Sequence, residues 1–205
     1  MVGKGERTKA DIIRKTADLF NKQGFLNAPL SSVIETTGIQ KGGLYRHFES
    51  REALAHAAFD HAVGQIAVRL LAALSSQSNA CDKLLALLDS YDGDETDAPL
   101  PGGCPIMNSA IESDHADEAL RRRAQDAMNR WRDLLAGVVA EGQKVGEIRA
   151  EIDANDVAVI LIAAIEGGVM MTQLSRNPQP LQAVRRHLRA YVEGELRAKS
   201  DGVGA

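Results

Sequence analysis

"SSVIETTGIQKGGLYRHFESREAL", Ser31–Leu54, decides how the rest of the chain is read. Two short apolar patterns meet at Thr37-Gly38-Ile39, a Gly-Gly pair follows, and Lys41, Tyr45, Arg46, His47 and Arg51 crowd around it. Ser32 has Glu35 three residues later, the spacing of a capping box, so Ser31 or Ser32 is expected to open a short helix ending at Thr37. Gly38 supplies a turn, and Lys41–Phe48 is expected to form a second short helix. Ser50 then caps a long helix running to Leu74. Leu44 and Phe48, four apart, share the face that packs inward, which turns the opposite face outward.

Two short helices joined by a glycine turn form a helix-turn-helix, in which the second helix enters the major groove of duplex DNA. The residue types suit that task. Gly42 and Gly43 remove side-chain bulk, so backbone N–H groups can approach a phosphate or base edge. The Tyr45 hydroxyl can donate to a phosphate, and Lys41, Arg46, His47 and Arg51 supply hydrogen bonds or charge. The competing reading is a solvated amphipathic helix after a glycine turn.

Working outward, Ile12, Ile13, Ala17, Leu19 and Phe20 recur at helical spacing between Thr8 and Gln23, with Gly24 as a stop. Beyond Leu74, Cys81–Asp92 reads as an apolar helix and Gly93–Gly103 as a loop. Cys104–Glu112 is a short helix, and Asp117–Gln143 is a long amphipathic one. Asp153 caps an almost wholly apolar helix expected to be buried on most sides. Leu181–Ala198 makes the last helix. The expected fold is all-α with about nine helices. A three-helix DNA-binding domain occupies residues 1–50, and a helical ligand-binding and dimerisation domain occupies 51–205.

Charge agrees with that division. Residues 1–56 carry nine Lys/Arg against six Asp/Glu, and the remainder carries fifteen against twenty-two, within a net charge of −4. A basic head on an acidic body suits a polyanion-binding end. No apolar run approaches the ~18 residues of a membrane span, and the N-terminus lacks a secretory pattern. The expectation is a cytoplasmic protein with no membrane partner. Cys81 and Cys104 have neither a disulfide framework nor metal-site spacing, so no metal and no cofactor are expected.

The segment "LFNKQGF" followed by "TTGIQKGGLYRHFESREAL" resembles the N-terminal signature of TetR-family transcriptional regulators. It does so at Leu19-Phe20, Gly24-Phe25, Gly38-Ile39, Lys41-Gly42, Leu44-Tyr45, Phe48 and Arg51-x-x-Leu54. The resemblance implies phosphate contacts from Lys41, Tyr45, His47 and Arg51, and base-edge reading by Gln40, Gly43 and Arg46. Ser31 and Ser32, at the start of the supporting helix, join the DNA-binding set. Gly43 stands where the family often has Ser, Thr or Ala. The implied partners are double-stranded DNA carrying a palindromic operator, a second copy of the chain, and a small-molecule inducer. Repressor is the default role and activator the alternative.

In the body, the apolar helix and the last helix are expected to form half of an intersubunit four-helix bundle, with Gly167-Gly168 permitting close approach. An inducer site needs apolar walls with a few polar groups. The candidates are Met107, Met128, Trp131, Met170 and Met171, with Asn108, Glu112 and Glu166 as polar members, although each also reads as ordinary core or surface. Cys104 precedes Pro105 at a helix start, where a dipole favours thiolate. "GCPIMN" is similar to one TetR branch in which some repressors respond to electrophiles, quinones or oxidants through this cysteine and others bind small aromatic compounds reversibly, which makes Cys104 a candidate redox sensor. A packed, inert thiol is the other reading. An enzyme using Cys104 with His115 as base has no nearby oxyanion motif, and a purely helical interaction module remains as a third class. The chain is expected not to be an enzyme.

Overall fold

The computed structural model describes residues 3–91, 102–113 and 116–199. Among these, nine α-helices follow one another: α1 Lys4–Gln23, α2 Leu30–Thr37, α3 Lys41–Leu44, α4 Arg51–Ser75, α5 Ala80–Asp89, α6 Pro105–Ser113, α7 Glu118–Lys144, α8 Ala154–Ser175 and α9 Gln179–Tyr191. A π-helical turn, Val192–Leu196, continues α9. The isolated bridge between Ile148 and Arg197 is the extended pairing seen among the described residues. The all-α expectation holds. The expected loop at Gly93–Gly103 lies outside the described residues as far as position 101, and so does His115.

Helix ends follow local chemistry. α1 stops at Gly24 and α2 at Gly38, whose φ values of 94° and 71° fall where a side chain is strained. Ser50 Oγ accepts the Ala53 amide at 3.1 Å. Asp153 accepts the amides of Asn155 and Asp156 at 2.8 and 3.1 Å, so both expected caps form.

Two expectations are corrected. The Ser32–Glu35 capping box does not form: α2 begins at Leu30 behind Pro29, whose fixed φ of −71° already sets the turn. Ser31 and Ser32 therefore fall inside the first turn. The second short helix ends at Leu44, not Phe48. Two glycines in four residues each cost about 1 kcal/mol of helix propensity. The chain tightens there, with the His47 amide bonded to Leu44 O at 2.9 Å.

Packing divides the chain into two units, the described parts of Met1–Ala67 with Thr96–Met128, and of Val68–Glu95 with Asn129–Ala205. The divisions fall inside α4 and α7. In the first unit, Phe20 and Phe25 stack with ring centroids 6.2 Å apart, and Phe59 meets Phe25 edge-on at 5.5 Å. His56 of α4 meets Asp117, ahead of α7, at 2.7 Å. Asp60, one turn further along α4, pairs with Arg123.

In the second unit, Leu84, Leu87, Leu135, Leu161, Ile165 and Leu188 are fully buried or nearly so. Arg185 of α9 donates to the carbonyl of Leu88 at the end of α5 at 2.8 Å. Arg197 reaches Asp82 on α5 at 2.7 Å. A Cβ on Gly168 would stand 3.0 Å from Leu181 and 3.2 Å from Val184, so this glycine lets α8 and α9 approach within one chain.

The expectation that α8 is buried on most sides is also corrected. Val159, Ile160, Met170, Met171 and Leu174 are exposed, Leu174 at 86%. By length and composition α4 and α8 are apolar enough to cross a membrane, with 28% and 33% of their most apolar windows buried.

Candidate nucleic-acid interface

The head comprises α1–α3 and the start of α4. Its turn is built by Thr37, whose hydroxyl donates to Val33 O at 2.7 Å and accepts the Ile39 amide at 3.2 Å. That bond pattern and the positive φ of Gly38 aim α3 outward. Leu44 and Phe48 are buried. Gln40, Lys41, Gly42, Tyr45 and Arg46 are exposed around them, as is Ser31 on α2, whereas Ser32, Gly43 and His47 are half-buried. Tyr45, at 43% exposure, is an aromatic side chain left facing outward.

Pairing alone does not mark this surface, because Arg7, Lys22, Arg130, Arg176 and Arg186 also meet no carboxylate among the described residues, but it decides which charges near α3 are spent. Arg14, Arg121, Arg122, Arg185, Arg189 and Arg197 all meet carboxylates. Among the described residues Lys41 and Arg46 meet none. Two exposed cations without intramolecular anions, beside an outward phenol, leave their charge available to a polyanion. A Cβ on Gly43 would lie 2.7 Å from Ile39 Cγ2, whereas nothing lies within 4 Å of one on Gly42. Glycine at 43 thus goes with the larger Ile39 packed behind it.

Arg51 is engaged inward. Its Nε donates to Ala28 O at 2.9 Å and its Nη2 to Phe25 O at 3.1 Å, and its guanidinium lies 5.6 Å from the Phe20 ring. It therefore braces the α1–α2 turn. Asn108 and Glu112, expected in an inducer site, also meet the head. Glu112 accepts the Leu26 amide at 3.1 Å. Asn108 Nδ2 donates to Gly102 O at 2.9 Å and to Asn21 Oδ1 at 3.2 Å. Asn21, buried on α1, donates in turn to Gly103 O at 2.8 Å. Sequence reading missed Asn21, because a polar residue on a buried helical face has no signal of its own until its partner 82 positions away is known.

Residues 12–58 match the family described as bacterial regulatory proteins, tetR family, and residues 80–188 match the tetracyclin repressor-like C-terminal domain. A TetR transcriptional regulator from Chloroflexus aurantiacus superposes with a TM-score of 0.90 at 38% identity, covering 96% of this chain and 99% of its own. The chain belongs to the TetR family.

TetR-family members are helix-turn-helix transcriptional regulators, not enzymes, and this chain is a DNA-binding transcriptional regulator of that kind. The repressor DhaR from a Mycobacterium strain is 23% identical over 83% of this chain and 84% of its own length. The fold is also that of the TetR-family regulator CifR, solved as a cysteine mutant on 26-bp double-strand operator DNA (23% identity, TM-score 0.77, 88% of this chain and 95% of that one).

The remaining candidates take varied positions on the TetR body. In the first unit Cys104 is buried immediately before α6 and its carbonyl accepts the Asn108 amide at 3.0 Å. Met107 and Met128 are half-buried. In the second unit Trp131 is buried, Glu166 is half-buried, and Met170 and Met171 lie on the exposed stripe of α8. The Trp131 indole N–H has no hydrogen-bond partner, and neither do Ser109 Oγ and His61 Nε2 in the first unit. A buried polar atom without a partner costs about 1–3 kcal/mol, and polar groups bound for a ligand bear that cost in its absence. His61 and Ser109 were not among the sequence candidates.

Proposed function

We propose that this chain is a repressor that acts as a homodimer in the cytoplasm, bound to a palindromic double-stranded operator and released by a small apolar or electrophilic inducer. The observation that carries the reading is the exposed set Gln40, Lys41, Tyr45 and Arg46 around α3, whose two cations have no carboxylate partner among the described residues. Lys41 and Tyr45 would hold phosphates, with His47 beside them. Gln40, Arg46 and the backbone of Gly42 and Gly43 would face base edges, and Ser31 and Ser32 would flank the backbone from α2. Arg51 takes a bracing role instead of a phosphate contact.

The dimer is supported by the α8 stripe. Ile160, Ala163, Gly167, Met170, Met171 and Leu174 recur along one face, and nothing lies within 4 Å of a Cβ on Gly167. A second copy of that face would cover the stripe and place two heads for two half-sites about 34–36 Å apart. The unpartnered indole of Trp131 supports a ligand that brings a polar atom to an apolar site. Cys104, on the loop tied to α1 through Gly103, supports the electrophilic alternative.

Selection of bound duplexes from a random pool, followed by mobility shift, tests the reading. It requires enrichment of an inverted repeat bound by two copies. Enrichment of no sequence, or of a single asymmetric site bound by one copy, contradicts it. For the effector, treatment with N-ethylmaleimide should release wild type and not Cys104→Ser if the cysteine is the sensor.

A further inference from the structure

We infer that Asn21, Asn108 and Glu112 are positioning residues that clamp the DNA-reading head to α6, so that the head recognises one half-site spacing. The inference rests on the proposed reading of a symmetric dimer on a palindrome, and it concerns how that dimer measures its operator.

The clamp grips one turn, Gly24–Ala28, from two sides. From α4, Arg51 donates to the carbonyls of Phe25 and Ala28. From α6, Glu112 accepts the amide of Leu26 at 3.1 Å. A cation thus meets the carbonyls of the turn and an anion meets its amide, so each peptide group between α1 and α2 that faces a neighbour faces the charge that suits it. A turn held in this way cannot rotate without breaking charge-assisted bonds, and α2 and α3 follow the turn.

A second cluster holds the end of α1. Asn108 donates to Asn21 and to Gly102 O, and Asn21 donates to Gly103 O. Asn21 is only 4% exposed, so its bond to Gly103 O is made out of water. Both points of closest approach are glycines in the left-handed half of φ space. A Cβ on Gly24 (φ 94°) would lie 2.7 Å from Glu112 Oε1, and one on Gly102 (φ 100°) would lie 2.8 Å from Asn21 O. A side chain at Gly24 would displace the Glu112 carboxylate from the turn, and one at Gly102 would push the segment ahead of α6 off the backbone of α1. The two surfaces are shaped to each other, and the polar groups fill their hydrogen-bonding needs on each other.

The consequence is that α6 sets the head's bearing as well as its stability. The test uses the full chain and three duplexes carrying the operator selected on wild type: the selected spacing, the centre lengthened by one base pair, and the centre shortened by one. Wild type should lose about tenfold or more on either altered fragment, comparable with one lost base-pair contact. Asn108→Ala and Glu112→Ala should bind the three fragments within about twofold of one another, because a freed head accepts neighbouring spacings. Glu112→Gln keeps an acceptor for Leu26 and should restore the wild-type ratio.

A lowered Tm with the spacing ratio unchanged would mean that these side chains only stabilise the fold, and that result overturns the inference. Retention of the wild-type ratio by the folded alanine variants does so as well. Failure of wild type to bind any fragment would instead remove the dimeric DNA-binding reading on which the clamp rests.

Discussion

Asp117 joins two helices through one carboxylate: Oδ2 meets His56 Nε2 of α4 at 2.7 Å, and Oδ1 accepts the Leu120 amide of α7 at 2.9 Å. Burial alone would raise its pKa, but the Leu120 amide and His56 outweigh that and hold it below the usual carboxylate value. A carboxyl with a depressed folded pKa adds stability above its unfolded value, near 3.9, and loses it as pH falls through the folded value. Asp117→Ala should therefore cost about 1–3 kcal/mol at pH 7. Urea denaturation at pH 7 and pH 3 checks this: the gap between wild type and variant should narrow at the lower pH.

Arg51 offers a test of bracing against contact. Lysine keeps the charge but cannot place two N–H groups on two carbonyls in a fixed fork. Arg51→Lys should lower unfolding stability by about 1–2 kcal/mol through lost hydrogen bonds to the turn. Amide exchange should show faster opening at residues 25–28. If stability and exchange are unaltered in the lysine variant, Arg51 does not hold the turn.

Tyr45 and Arg46, adjacent and both exposed, should fail differently. Tyr45→Ala removes the proposed phosphate donor and should weaken all operator sequences alike. Arg46→Ala should cost about 1–3 kcal/mol and relax the preference at one base position. Competition binding with single-base operator variants separates the two outcomes.

The stripe on α8 predicts the assembly. Covering a large apolar side chain is worth about 1.5–3 kcal/mol, and a charge placed there stays unpaired. Ile160→Glu or Leu174→Glu should shift sedimentation from dimer to monomer at micromolar concentration while leaving the helical content unchanged. A dimer that persists in both would move the interface elsewhere.

Much of this was legible in the chain itself. Gly24 and Gly38 marked helix ends because their backbone angles exclude most side chains, and Ser50 and Asp153 marked starts because their oxygens cap amides locally. The Ser32–Glu35 pattern misled because Pro29 had already fixed the turn. α8 misled for a different reason: uniform apolarity says that a helix will be covered, not that its own chain will cover it. The long-range partners of Asn108, Glu112 and Arg51 were not legible. Polar side chains with partners 23 to 87 positions away carry no periodic signal, so residues suited to an inducer or a phosphate proved to hold the head's own backbone.

The central claim is that the exposed face of α3 lies against duplex DNA with Lys41 on a phosphate, and the salt dependence of operator affinity tests it most directly. Wild-type affinity should fall linearly on a log–log plot against salt, with a slope close to −0.9 times the number of phosphates neutralised, and Lys41→Ala should reduce that slope by about one. An affinity that does not change with salt, or a slope that Lys41→Ala leaves untouched, would contradict the account.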